Sequence, residues 1–261
     1  MKNFHLFLLL LILSLSACKK EDADCSGKLF GIPNANTGLD ISQCTPLCMC
    51  KNFSSKTFSS AELNALRAWV LTDTIAELTE NPYLFPPQQN PACLCAVVVD
   101  NEQTKEYHLE NFSSEEEAKA VGAIPTHFDA CGTCSSLADF TVYAENIDIG
   151  ADVRACAILN LSQPFENLVA CIEDLGFSKP CAQIWAYNAR NTQQLCFDIC
   201  IQDNIYNKPD GSLGDCLDCD ERLSGPVFKA VAGRTRRNTG IASSICRLCS
   251  EVQIVEHNYP L

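Results

Sequence analysis

Apolar positions along the chain fall into helical stripes and one alternating stretch. Ser60 and Glu62 precede Leu63, Leu66, Trp69, Val70, Thr74, Ile75 and Leu78. That spacing predicts a capped helix, which Asn81-Pro82 ends. Cys95-Ala-Val-Val-Val-Asp100 has strand character, residues Asn101 to Thr104 form a polar turn, and Tyr107-His108-Leu109 alternates again, predicting a hairpin. Ser113 and Glu116 have capping-box spacing and open a short helix closed by Gly122. Ser162 to Pro164 opens a helix carrying Leu168, Cys171, Ile172 and Leu175, closed by Gly176. Ser178 to Pro180 opens a long helix through Cys200, and Ser224 to Pro226 opens another. The pattern predicts an α+β fold, mainly α, with a small β-hairpin.

The N-terminus follows a different logic. Lys2 provides a positive start, and Phe4 to Leu15 is an apolar run broken only by His5 and Ser14, too short for a membrane span. Residues 1–17 read as a secretory signal. The run ends in Leu15-Ser16-Ala17-Cys18, which resembles the lipobox of bacterial lipoproteins. That resemblance implies cleavage before Cys18, acylation of its thiol, and attachment to the membrane through lipid. Lys19-Lys20-Glu21-Asp22-Ala23-Asp24 is a solvated charged run, and it is similar to the signal that sends some lipoproteins to the outer face of the outer membrane. Residues 18–43, rich towards their end in Gly, Asn and Ser, read as a lipidated tether. The cysteine-rich globular domain then spans 44–261, with possible subdomains at 44–122 and 123–261.

Charge narrows the partners. With 19 basic and 32 acidic residues the net charge is −13, which excludes general nucleic-acid binding, because that needs a basic surface. The chain also holds 18 cysteines. Outside the cytoplasm such a load implies a disulfide network. If Cys18 is lipidated an odd number remains, and Cys25 in the tether is the candidate for the unpaired thiol. Two sharper readings compete with the network. Cys216-x-x-Cys219 and Cys246-x-x-Cys249 have the spacing of a four-thiolate zinc site, a structural alternative to the expectation of no cofactor. Cys131-Gly-Thr-Cys134 ahead of a helix could carry a thiolate stabilised by the helix dipole, with His127 nearby as a base.

Two polar clusters stand out against this background. The long helix places Trp185 and Asn188 on one stripe, and an Asn there pairs with a loop or faces a ligand. Lys229, Arg234, Arg236 and Arg237 gather a large share of the basic residues of an acidic chain. If the preceding helix ends near Gly233 and the next begins at Asn238 or Thr239, its free N–H groups and the guanidinium groups together could hold a carboxylate, sulfate or phosphate.

The segments Thr126-His127, Ala130-Cys131-Gly132, Pro180-Cys181-Ala182-Gln183-Ile184-Trp185, Cys219-Asp220-Glu221, Ser224-Gly225-Pro226-Val227-Phe228-Lys229 and Ala232-Gly233-Arg234 resemble a family of cysteine-rich secreted proteins of unassigned function. The resemblance implies no activity or cofactor. The sequence therefore leads to a membrane-anchored, extracytoplasmic protein binding a small anionic or polar ligand through Arg234, Arg236, Arg237, Asn188 and Trp185. An enzyme using His127, Cys131 and Cys134 is one alternative, and a structural or adhesive surface module is another.

Overall fold

The computed structural model describes residues 27–87, 92–203 and 205–261. The signal run, Cys18, the charged run and Cys25 lie outside the described residues. In chain order the elements are β1 (Leu29–Phe30), β2 (Cys44–Thr45), β3 (Leu47–Cys48), β4 (Phe53–Ser54), α1 (Ser60–Arg67), β5 (Val70–Leu71), β6 (Leu94–Asn101), β7 (Glu106–Phe112), α2 (Glu115–Ala120), β8 (Ile124–Phe128), α3 (Leu137–Glu145), α4 (Ile149–Leu159), α5 (Phe165–Glu173), α6 (Lys179–Cys200), α7 (Asp215–Leu223), α8 (Gly225–Ala232) and α9 (Arg236–Thr239). This is the α+β, mainly helical fold that the sequence pattern predicts.

The main sheet has the order β5-β7-β6-β8. β6 and β7 form the predicted hairpin, antiparallel with Val97 opposite Leu109, and β8 lies antiparallel on the other side of β6. The central position of β6 explains its run of apolar residues. Leu94 and Ala96 pack with Phe112 and Ala118 beneath α2, while Val97 and Tyr107 join the main core on the opposite face. That core extends from Leu66 to Tyr259 and draws buried side chains from both 44–122 and 123–261.

Three local expectations need correction. The helix opened by Ser59, whose side chain accepts from Glu62 N in a capping box, stops at Arg67. Val70–Leu71 instead adds a parallel edge strand to β7. The β-branched residues Val70, Thr72, Thr74 and Ile75 favour leaving the helix, because their stiff side chains fit an extended backbone better. The second cap lies one residue later than predicted: Ser114 accepts from Glu117 N, and Ser113 receives its own support from the Glu117 carboxylate. Residues 29–43 are no tether. Phe30 exchanges backbone hydrogen bonds with Arg247, Leu29 and Phe30 pair with Cys44 and Thr45, and buried Thr37 donates to Ser244 O at 2.6 Å. The Gly and Asn residues that read as loose chain form tight turns here. Gly38 has φ +77°, and a Cβ there would meet Asn207 O at 2.3 Å.

Disulfides tie these layers together. Cys44–Cys246 and Cys48–Cys249 clamp the N-terminal strands to the C-terminal segment. Cys95–Cys131 joins the sheet to the loop before α3, and Cys134–Cys181 joins that loop to α6. Cys156–Cys171 links α4 to α5, while Cys196–Cys219 and Cys200–Cys216 lock α7 against α6. Cys50 and Cys93 are disulfide-bonded as well, and no cysteine among the described residues is free. So many oxidised cysteines place the domain in an oxidising compartment. Among the described residues no helix is long and apolar enough to cross a membrane.

Candidate functional site

The disulfide pattern changes the two thiol readings first. Cys216 and Cys219 face one turn of α7 towards α6 and pair there with Cys200 and Cys196. Cys246 and Cys249 pair with Cys44 and Cys48 at the other clamp. Oxidised sulfurs are not thiolate ligands, and the two CxxC pairs never meet, so the zinc reading is replaced by four disulfides. Among the described residues no group of His, Cys, Asp and Glu is placed to hold a metal ion. The Cys131-Gly-Thr-Cys134 reading also changes. Its two sulfurs do not join each other, because Gly132 packs against the backbone of Val231 to Gly233 and turns the cysteines towards Cys95 and Cys181.

His127 sits one strand away, fully buried on β8. Its Nδ1–H donates to Phe128 O at 2.7 Å, leaving Nε2 to accept the Ser135 hydroxyl at 2.7 Å. Burial, reinforced by the nearby Arg234 charge, holds its pKa well below the ordinary value. Ser135 is itself fully buried and accepts from Gly132 N. This pair therefore secures the loop between β8 and α3, and neither Cys131 nor Cys134 offers His127 a thiol.

Arg234 leaves the proposed ligand set. It is fully buried, and its guanidinium donates to Cys134 O, Thr126 O, Thr126 Oγ1 and Ser135 O at 2.7 to 3.0 Å. It also stacks against Phe140, with its charge 5.1 Å from the ring centre. These bonds knit β8, the disulfide loop and the α8–α9 connection together. The backbone anion site predicted at Asn238 is also absent. α9 starts at Arg236, and the Thr235 hydroxyl accepts from Asn238 N, capping the turn internally.

Arg236, Arg237, Asn188 and Trp185 do come together. All four line a cavity of about 610 Å³ bounded by α4, α6, α7, α8 and the segment from Thr235 to Val252. α6 contributes Trp185, Asn188, Ala189, Thr192, Gln193, Phe197 and Cys200, one stripe at helical spacing that Ile201, the residue capping its C-terminus, continues. The volume lies within the range of small-molecule sites, and the wall is mainly apolar. The Trp185 ring packs 4.6 Å from that of Phe228, and its indole N–H donates to Tyr143 OH.

The polar part of the wall has a definite charge pattern. Arg236 donates to Ala242 O, Tyr143 O and Asn146 O, all neutral carbonyls, and its buried Nε–H has no hydrogen-bond partner among the described residues. Burial pushes its pKa down to about 10, still far above neutral, so the guanidinium remains charged. Arg237 and Arg247 share the single carboxylate of Glu221, Arg237 at 2.5 Å. Five basic and three acidic side chains line the cavity, in a chain whose net charge is −13. Asp220, next to Glu221, accepts from Asn188 Nδ2 and the Thr192 hydroxyl, and burial pushes its pKa up. Asn188 Oδ1 in turn accepts from Tyr83 OH at 2.7 Å, which pins the loop before β6. Asn188 thus serves the loop and borders the cavity at once.

Sequence reasoning missed Glu221 and Arg247, which complete the charged edge, and Asp220, which orients Asn188. The acidic pair followed Cys219 with no periodic break to distinguish it from a solvated face, and Arg247 lay inside a CxxC. Also unforeseen were Ile158, Phe197 and Ile201, which line the cavity yet are 59%, 45% and 61% exposed.

A model of a family of unknown function (DUF8771) matches residues 165–255, from α5 through the C-terminal clamp. The matched stretch supplies most of the cavity wall, including every basic lining residue except Arg154. No curated protein and no solved structure matches the chain.

Proposed function

We propose that this protein is an extracytoplasmic lipoprotein, anchored through acylated Cys18, whose disulfide-stapled domain binds a small molecule bearing an anionic group. The supporting observation is the cavity itself, apolar over most of its wall and edged by guanidinium groups in an otherwise acidic chain. Two of those groups share one carboxylate, and Arg236 donates its hydrogen bonds to neutral carbonyls, with the Asp148 carboxylate acting on it only through space. A carboxylate entering the cavity would gain charge-assisted hydrogen bonds from these guanidinium groups. The lipid anchor rests on the lipobox resemblance and accords with the oxidising compartment that the disulfides require.

The binding test uses the purified, oxidised domain with decanoate and 1-naphthoate against the corresponding neutral alcohols. The acids raise the melting temperature and the alcohols do not, and Arg237→Ala weakens the effect. Equal response to acid and alcohol, or no response to either, overturns the binding reading. For the anchor, labelled palmitate fed to intact cells marks the wild type and leaves Cys18→Ser unmarked; label retained in Cys18→Ser overturns it.

A further inference from the structure

Resting on the reading of this cavity as an anion-binding site, we infer that its ligand is a free linear carboxylate with a long alkyl chain, held head-first at Arg236 and Arg237. The shape follows from α6. Trp185 and Ile201 both line the cavity and lie sixteen positions apart, which is about 24 Å along a helix axis. The cavity of about 610 Å³ therefore follows the helix axis as a groove along α6.

The two ends of the groove differ in chemistry. At the Trp185 end, the Trp185 indole bonds to Tyr143 OH, and Tyr143 O accepts from Arg236, which fixes that guanidinium beside the start of the stripe. Arg237 reaches the same region, because its partner Glu221 follows the Asp220 that receives Asn188. At the other end stand the exposed side chains of Phe197 and Ile201, and Ile158 of α4. Arg154 stands at this end too, its guanidinium on Cys216 Sγ; Cys216 is bonded to Cys200, which places α4 alongside this part of α6 one turn before Ile158. Apolar side chains that both line a cavity and reach solvent form its mouth. An anion at the Arg236 and Arg237 end with an apolar tail towards this mouth matches both ends; a compact anion leaves the apolar part of the groove empty, and a neutral alkane leaves Arg236 with neutral carbonyls as its only hydrogen-bond partners.

The test is calorimetric titration of the oxidised domain with linear carboxylates from hexanoate to hexadecanoate, each below its micelle concentration. Burying one methylene at a time tightens binding about fourfold per carbon until the groove is filled, after which it levels off. Ile201→Asp, at a position exposed enough to tolerate it, weakens the long acids at least about tenfold and leaves hexanoate unchanged. Affinity independent of chain length, with 1-naphthoate binding as well as hexadecanoate, overturns the linear-ligand inference while sparing the anion site. Failure of every carboxylate overturns both. Binding to phosphatidylcholine vesicles free of fatty acid, abolished by Ile201→Asp, would assign the apolar mouth to a bilayer and likewise overturn the inference.

Discussion

Arg234→Met removes the guanidinium while keeping an unbranched apolar chain in its place. In the native domain that group bonds to three backbone carbonyls and the Thr126 hydroxyl, all buried between β8, the disulfide loop and the end of α8. Each stranded acceptor costs about 1 to 3 kcal/mol. Against this, the variant no longer holds a charge out of water, whose removal offsets several kcal/mol. Breaking a buried, hydrogen-bonded charge assembly by deleting one member typically costs about 3 to 5 kcal/mol, and we expect that range here. This is a large part of the stability of an ordinary domain, about 5 to 15 kcal/mol. Guanidinium-chloride unfolding followed by tryptophan fluorescence and far-ultraviolet circular dichroism, with all disulfides intact, measures it. Arg237→Ala serves as the contrast: its exposed ion pair with Glu221 contributes about 1 kcal/mol or less. If Arg234→Met unfolds within 1 kcal/mol of the wild type yet loses carboxylate binding, Arg234 is a ligand residue and the structural argument fails.

Acid should destabilise the domain through its buried histidines. Burial lowers the His257 pKa to about 3, below the 6.5 of an unfolded histidine, so only the unfolded chain takes up this proton between those values. Stability present above pH 6.5 is therefore lost as pH falls towards 3, at about 1.4 kcal/mol per pH unit, or about 2 kcal/mol by pH 5. Asp139 and Asp220, raised by burial, act in the opposite sense, so the informative quantity is the difference in pH slope between the wild type and His257→Gln. Parallel slopes from pH 5 to 6.5 would contradict it. Gly132→Ala should be at least as damaging as a core overpacking change, about 1 to 3 kcal/mol, because its Cβ would meet Val231 O at 2.3 Å and Gly233 N at 2.6 Å. A melting temperature unchanged from the wild type would refute that close approach.

The sequence was most informative where one local signal acted alone. The β6–β7 hairpin, the Pro-opened helices α5, α6 and α8, and the glycines that follow α5 and α8 come directly from side-chain period and backbone restriction. It was misleading where tertiary pairing competed with local pattern. Val70 fits a helical stripe, but β7 offered Val70 and Leu71 a strand partner for their backbone. Residues 29–43 had the composition of a linker, but their turn residues fold them against Arg247 and Ser244. The cysteines illustrate the same limit: spacing groups Cys216 with Cys219, yet a helix turns both towards α6, and pairing is decided across elements. In the basic cluster, charge marked the right region without separating the fully buried Arg234 from Arg236 and Arg237. Only the positions of the surrounding carbonyls make that distinction.

The clamp formed by Cys44–Cys246 and Cys48–Cys249 fixes how a pull on the N-terminal side of the domain would travel, the direction from which the proposed anchor would act. Both bridges span about two hundred residues of chain, so they join the entry strand directly to the C-terminal segment. Tension applied ahead of Leu29 passes through β1 and β2 into Cys44 and on to Cys246. α1 to α9 hang from this covalent joint as a closed loop, outside the line of pull. A pull from that end would therefore load two sulfur–sulfur bonds before it reached the cavity along α6.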